Sequence, residues 1–290
     1  HLGPDPEWSP ALRGFDEVFG FLGRGAHDYF KLNDPKDPIY RGTDVVSETG
    51  YLTDRLGEET AEFITQNKSK PFFAYLAFNA VHAPLQAPAD EIAKFNTGNK
   101  DRDTLLAMGK RMDDAIGRVV ATLKKEGVWE NTLLFFFSDN GGPLAQTADN
   151  TPLRGGKHSD YEGGVRVPFI VCWPAMLKPG VSDAVVSSLD VLPTTLAAAG
   201  LPAPTDKTLD GMNILPILRG ETSTGVPAAK RAGGAFDQVI GSSSRKRPRW
   251  SCSISRQTFP KRPTSRKRCP ASWPNSRSCM TTGSRRWRSP

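Results

Sequence analysis

Apolar residues recur at three- and four-residue intervals over residues 104–125, which predicts an amphipathic helix. Gly127 follows this pattern and is expected to end the helix. A second helix is predicted over residues 53–66, with Thr53 as its N-cap and Leu56, Phe63 and Ile64 on one face. A shorter helix is expected to run from residue 188 through Ala199 and to end at Gly200.

Continuous apolar runs at residues 71–78, 133–137 and 169–173 predict buried strands. Because these strands alternate with the helical segments, the chain is expected to form an α/β fold with a mixed, mostly parallel sheet flanked by helices.

The distribution of charged residues divides the chain of 290 residues into distinct regions. The formal net charge is +7, yet residues 243–290 contain 14 Lys and Arg and no Asp or Glu. The rest of the chain therefore holds 24 basic and 31 acidic residues, as an ordinary acidic globular domain does. We predict a catalytic domain over residues 1–221, a linker over 222–242 and a disordered basic tail over 243–290. An Arg-rich tail with three tryptophans is also typical of a nucleic-acid-binding arm.

The strongest candidate chemistry follows the apolar run at residues 133–137. The sequence SDNGG at residues 138–142 predicts a tight turn at the carboxyl end of a strand, where open α/β sheets bind ligands. Asp139 and Asn140 offer the hard oxygen ligands that Ca²⁺ and Mg²⁺ prefer, although an Asn-Gly pair is also an ordinary turn signal. Lys157 lies further along in a glycine-rich segment that an anion can approach closely. Together these residues indicate an enzyme that acts on an oxyanion ester.

Four motifs in this order resemble the sulfatase family of the alkaline-phosphatase-like superfamily. They are GFDEVFGFLG at residues 14–23, PFFAYL at 71–76 leading to HAP at 82–84, SDNGG at 138–142, and PLRGGK at 152–157 followed by EGGVRVP at 162–168. The resemblance covers the chain from His1 to about Arg219.

The resemblance implies a sulfuric ester hydrolase of the arylsulfatase type. It assigns Asp139 and Asn140 to a Ca²⁺ site, with Mg²⁺ as the alternative cation, and Lys157 to a sulfate oxygen and the leaving oxygen. It assigns His82 to sulfate binding and to protonation of the leaving group. His1 corresponds to a histidine that contacts the nucleophile in the family. Asn150 and Arg154 are expected to support these residues, whereas His27 and Asp28 are candidates for either a substrate contact or a structural role.

The family nucleophile is a formylglycine made from the Cys or Ser of a C/S-x-P-x-R signature, and this signature does not occur in a matching context in the sequence. The chain is therefore interpreted as an N-terminally truncated fragment that is inactive on its own. The compartment stays open, since the family is often periplasmic or secreted and any signal peptide would lie upstream. No apolar run is long enough to span a bilayer.

The basic tail has a third interpretation. When residues 251–288 are read from the third base of each codon, permissible codons encode a sequence that resembles the C-terminal end of a sulfatase. We therefore interpret residues 243–290 as an out-of-frame translation, which would leave the tail without an evolved function and the chain without a nucleic-acid partner.

Two rival functions remain from the sequence alone. A phosphodiester or phosphonate hydrolase of the same superfamily would share the α/β fold and the metal site, and a non-catalytic gene fragment would share the motifs. The expected substrate is a small-molecule or polysaccharide sulfate ester.

Overall fold

The computed structural model describes residues 6–23 and 26–221, which form short strands and helices of very unequal length. The strands are β1 (Phe19–Phe21), β2 (Ile39–Arg41), β3 (Asp44–Val46), β4 (Leu134–Phe137) and β5 (Phe169–Cys172). The helices are α1 (Leu52–Asn67), α2 (Ala89–Ile92), α3 (Lys100–Lys125), α4 (Glu162–Val165), α5 (Val191–Ala198) and α6 (Leu215–Leu218). Five single turns of 3₁₀-helix join them, at Pro6–Trp8, Pro10–Leu12, Trp129–Asn131, Leu144–Gln146 and Ser188–Asp190.

The two long helices pack against each other and carry most of the described core. Leu52 and Leu56 of α1 and Met108 of α3 belong to one buried cluster, which Tyr29 and Ile39 complete from the loops and the first sheet. A smaller cluster further along the same pair of helices consists of Ile64, Val119 and Leu123. The residues at helical spacing are therefore the ones that bury apolar surface, as the sequence pattern predicts.

The bounds of both predicted helices are confirmed to within a few residues. Helix α3 begins four residues earlier than predicted because the Asn99 side chain caps it, accepting a hydrogen bond from the Arg102 amide at 3.1 Å. It ends as expected before Gly127, which has a φ of +73°. The predicted cap of α1 was wrong: Tyr51 occupies the N-cap position without a side-chain bond, and Thr53 lies buried inside the first turn.

Every strand pairing in the described residues is antiparallel. Strand β2 pairs with β1 and β3, and β4 pairs with β5 in the register Leu134↔Cys172 to Phe137↔Phe169. Within residues 6–23 and 26–221 the paired strands are thus antiparallel, whereas a mostly parallel sheet was predicted.

The predicted buried strand at residues 71–78 was wrong. These residues run as extended chain without a ladder, and Phe73 and Tyr75 are 58% and 71% exposed. The apolar run has the composition of a strand, but no backbone hydrogen bond joins it to another part of the described chain. A strand requires a partner for its amide and carbonyl groups, which composition alone cannot supply.

Several predictions fall outside the described residues. His1, the whole linker at 222–242 and the basic tail at 243–290 belong to this group. In the parts that are described, none of the helices has the length and apolar content needed to cross a membrane.

Gly57 lies where α1 crosses α3 and provides a test of this packing. A Cβ atom at Gly57 would lie 2.8 Å from the Cβ of Ala115, closer than real Cβ contacts, and 3.2 Å from its Cα, tighter than most of them. Helix propensity alone would favour alanine by about 1 kcal/mol. We nevertheless expect Gly57→Ala to lower the free energy of unfolding by about 1–3 kcal/mol, because the helices must move apart.

Urea denaturation of the two variants Gly57→Ala and Gly117→Ala measures this effect. Gly117 lies on the exposed side of α3, and a Cβ there meets no atom within 4 Å. This control is expected to be neutral or to stabilise the chain by up to about 1 kcal/mol. Equal stabilisation by both substitutions would contradict the close helix crossing.

Candidate active site

The turn after β4 is fixed by backbone contacts with a distant segment. The Gly141 amide donates to the carbonyl of Gly164 at 2.9 Å, and the Ser138 hydroxyl donates to the carbonyl of Asn140 at 2.9 Å. A Cβ at Gly141 would lie 1.7 Å from the carbonyl oxygen of Gly163, so no larger residue fits without moving one of the two chains. The conformational reason for glycine here is close approach between backbones.

Asn150 joins this turn to the glycine-rich segment before Lys157. Its Oδ1 accepts from the Gly142 amide at 2.9 Å, and its Nδ2 donates to the carbonyls of Gly142 at 2.8 Å and Gly155 at 3.2 Å. The Lys157 amide also donates to the Gly142 carbonyl, at 3.2 Å. The structure therefore gives Asn150 the supporting position that the sequence analysis expected for it.

Lys157 and His82 meet at the surface although 75 residues separate them in the chain. The Nζ atom of Lys157 lies 3.3 Å from Nε2 of His82. The other ring nitrogen, Nδ1, lies 2.8 Å from the carbonyl of Ala83. A carbonyl only accepts, so this contact places the proton of a neutral ring on Nδ1 and leaves the Nε2 lone pair for the lysine ammonium. His82 is exposed and Lys157 is half-buried, so an anionic ligand can reach both heads.

A buried tyrosine forms hydrogen bonds with the loop that carries His82. Tyr29 is fully buried, and its hydroxyl lies 2.8 Å from the carbonyl of Asn79 and 2.9 Å from that of His82. Burial raises the pKa of Tyr29, so the hydroxyl keeps its proton and remains a donor. The His82 amide closes the same turn by donating to the Asn79 carbonyl at 2.7 Å. Sequence reasoning missed Tyr29, whose partners lie 50 and 53 positions away.

Asp139 and Asn140 present oxygen atoms that could bind a hard cation. Asp139 is exposed, and within residues 6–23 and 26–221 its carboxylate has neither an ion pair nor a hydrogen bond. Asn140 donates its amide nitrogen to the Gly141 carbonyl at 3.2 Å, which leaves its side-chain oxygen available. These two ligands fit part of the six to eight oxygens that Ca²⁺ takes. The described residues contain no cluster of three or more His, Cys, Asp and Glu side chains that could hold a metal ion.

His27 and Asp28 have structural roles in the fold. His27 is buried, and its Nε2 lies 2.8 Å from the carbonyl of Asp37. The Asp28 carboxylate accepts from the amides of Phe30 and Lys31, each at 2.9 Å. Burial opposes ionisation of Asp28, but hydrogen bonds from Gln86 and from these amides outweigh it and lower the pKa of the carboxyl group.

A cleft of about 420 Å³ opens beside Lys157. It is lined by Pro143, Leu144 and Ala145 and by residues of the segment from Arg154 to Tyr161, which include Lys157 and His158. His158 has a φ of +72° and is exposed at the rim. Lys157 therefore belongs both to this cleft and to the contact with His82.

Comparison with known proteins identifies the family of the chain. The family model described as Sulfatase matches residues 1–201, so the chain belongs to the sulfatase family. The crystal structure of Ps i-CgsB superposes with a TM-score of 0.71 at 40% identity, over 75% of this chain and 53% of that one. The fold class is thus the α/β fold of the alkaline-phosphatase-like sulfatases, as predicted.

Among curated relatives, the uncharacterized sulfatase YdeN of Escherichia coli (strain K12) is 37% identical over 73% of this chain and 38% of its own length. The N-acetylgalactosamine-6-sulfatase of Homo sapiens is 36% identical over 75% of this chain and 44% of its own length. The chain spans less than half the length of these two relatives.

Tyr29→Phe tests the support of the His82 loop. Loss of the hydroxyl removes the donor to the His82 carbonyl and one of the two donors to the Asn79 carbonyl, and we expect the free energy of unfolding to fall by about 1–2 kcal/mol. The matched control is Tyr51→Phe, because the Tyr51 hydroxyl donates to the Gln86 carbonyl at 2.9 Å, away from His82. Amide hydrogen exchange should accelerate at His82 in the first variant only. Equal acceleration at His82 in both variants would contradict a specific support.

Proposed function

We propose that this chain carries the sulfate-binding residues of a sulfuric ester hydrolase, and that Lys157 and His82 hold the sulfate group. The observation that carries the proposal is the 3.3 Å approach of Lys157 Nζ to His82 Nε2 at the edge of a cleft. Membership of the sulfatase family supports a sulfate ester as the substrate rather than a phosphodiester or phosphonate.

The two side chains divide the work of ester cleavage. The ammonium of Lys157 can donate to a sulfate oxygen and can stabilise the charge that develops as the ester bond breaks. A protonated imidazole is suited to giving a proton to the leaving alkoxide, so the exposed His82 would first take up a proton from solvent on Nε2. Tyr29 and Asn150 hold the two backbone segments from which these side chains extend.

Asp139 and Asn140 are proposed as two ligands of a Ca²⁺ ion, with Mg²⁺ as the alternative. Their free oxygens at the end of β4 support this assignment. Such a cation would draw electron density from the sulfate oxygens. The proposed nucleophile is a formylglycine, and its precursor signature does not occur in the sequence of this chain.

The relatives indicate a sulfated sugar as the substrate class. One relative is named an N-acetylgalactosamine-6-sulfatase, and Ps i-CgsB was also crystallised in complex with k-i-k-neocarrahexaose. The latter structure matches with a TM-score of 0.67 at 39% identity, over 74% of this chain and 52% of that one. We therefore propose a sulfate monoester of a sugar in preference to an aryl or steroid sulfate.

Titration of the chain with inorganic sulfate, followed by NMR, tests the anion site. We expect Lys157→Met to weaken sulfate binding roughly ten- to a hundredfold, as loss of a hydrogen bond to a charged group does. The matched control is Lys178→Met, which removes the same charge from an exposed loop. Unaltered sulfate affinity in Lys157→Met would sink the proposed function.

A second experiment concerns turnover. Because the nucleophile signature does not occur in the sequence, we expect the purified chain to release no phenol from an aryl sulfate above the uncatalysed rate. An intact sulfatase assayed under the same conditions provides the positive control. Hydrolysis that Lys157→Met abolishes would show that another residue of this chain acts as the nucleophile.

A further inference from the structure

Arg154 is held flat against an aromatic ring inside the cleft. Its Cζ atom lies 3.8 Å from the centroid of the Tyr161 ring, which is the distance of a close cation–π contact. The ring itself packs on the backbone, since a Cβ at Gly155 would lie 3.3 Å from Cδ2 of Tyr161. The Arg154 carbonyl accepts from the Gly163 amide at 2.7 Å. The exposed Arg154 side chain thus rests on the Tyr161 ring, and its backbone is joined to Gly163.

The stacked guanidinium remains able to bind an anion. Within residues 6–23 and 26–221, Arg154 forms no ion pair with a carboxylate. Stacking uses the face of the guanidinium and leaves the N–H groups along its edge, which match the oxygens of a sulfate or carboxylate. Arg154 and Lys157 line the same cleft, and no acidic side chain lines it with them. Two basic residues and no acidic one therefore border the cleft.

The volume of the cleft and its apolar lining residues indicate a ligand larger than a lone sulfate group. A volume of about 420 Å³ falls within the range of sites that bind small organic molecules, roughly 300–1,000 Å³. Leu144, which is 59% exposed, and Pro143 add apolar surface to the lining of the same cleft. Apolar surface of this kind suits the C–H faces of a sugar ring. A nucleobase would need an open aromatic face, and the guanidinium of Arg154 covers that of Tyr161.

We infer that Arg154, oriented by Tyr161, binds a second anionic group on the sugar unit next to the one whose sulfate ester lies at Lys157. The substrate class is therefore a polyanionic glycan with sulfate or carboxylate groups on neighbouring units. This inference rests on the proposed function, because Lys157 defines where the first sulfate lies. Arg154 is a specificity-determining residue that takes no part in the bond cleavage.

Calorimetric titration with two defined ligands tests the second anion site. The ligands are a monosulfated galactose and a disaccharide with one sulfate on each ring. We expect the unaltered chain to bind the disulfated ligand about tenfold more tightly, and Arg154→Gln to remove most of that preference without changing the affinity for the monosulfated sugar. Arg166→Gln is the matched control, since Arg166 is an exposed arginine paired with Glu162 at 3.3 Å.

Two substitutions of the ring separate stacking from the phenolic hydroxyl. Tyr161→Phe keeps the aromatic face and should retain the preference for the disulfated ligand, whereas Tyr161→Leu should reduce it. Equal weakening of both ligands by Arg154→Gln, or no weakening of either, would overturn the second anion site. Failure of the proposed function has a different signature, which is an unchanged affinity for the monosulfated sugar in Lys157→Met.

Discussion

The candidate site depends on direct backbone contact between the turn after β4 and the glycine-rich segments that follow it in the chain. A Cβ at Gly141 would overlap the carbonyl of Gly163, and a Cβ at Gly156 would lie 2.5 Å from the carbonyl of Gly142. With no side chains between them, the two segments are joined by amide–carbonyl hydrogen bonds and by Asn150. The position of Lys157 relative to the end of β4 therefore follows from peptide geometry, which varies little.

The long helices could be predicted because their evidence is local. Residues of α3 at helical spacing bury one face, and the sequence shows that spacing without knowledge of the partner. The segment at residues 71–78 could not be predicted in the same way. Its apolar composition is that of a strand, but a strand forms only when another chain segment supplies hydrogen bonds at the right register.

Some features of the candidate site could likewise be predicted from the sequence, and others could not. Asp139, Asn140, Lys157 and His82 could be named in advance because their motifs resemble those of a family. The approach of Lys157 to His82 was implied by that resemblance, whereas the distance between them required the coordinates. The role of Tyr29 could not be inferred, because a buried hydroxyl has no local pattern that indicates which distant carbonyl it meets.

The extended chain at residues 71–78 has a consequence for the behaviour of the protein in concentrated solution. Its amide and carbonyl groups have no backbone partner among the described residues. Phe73 and Tyr75 are exposed to solvent, and the ring of Phe73 lies beside that of Phe15. Unpaired backbone flanked by exposed rings is a template on which another polypeptide can add as a strand. Self-association at high concentration would then begin at this edge, and a lysine in place of Tyr75 would be the natural way to suppress it.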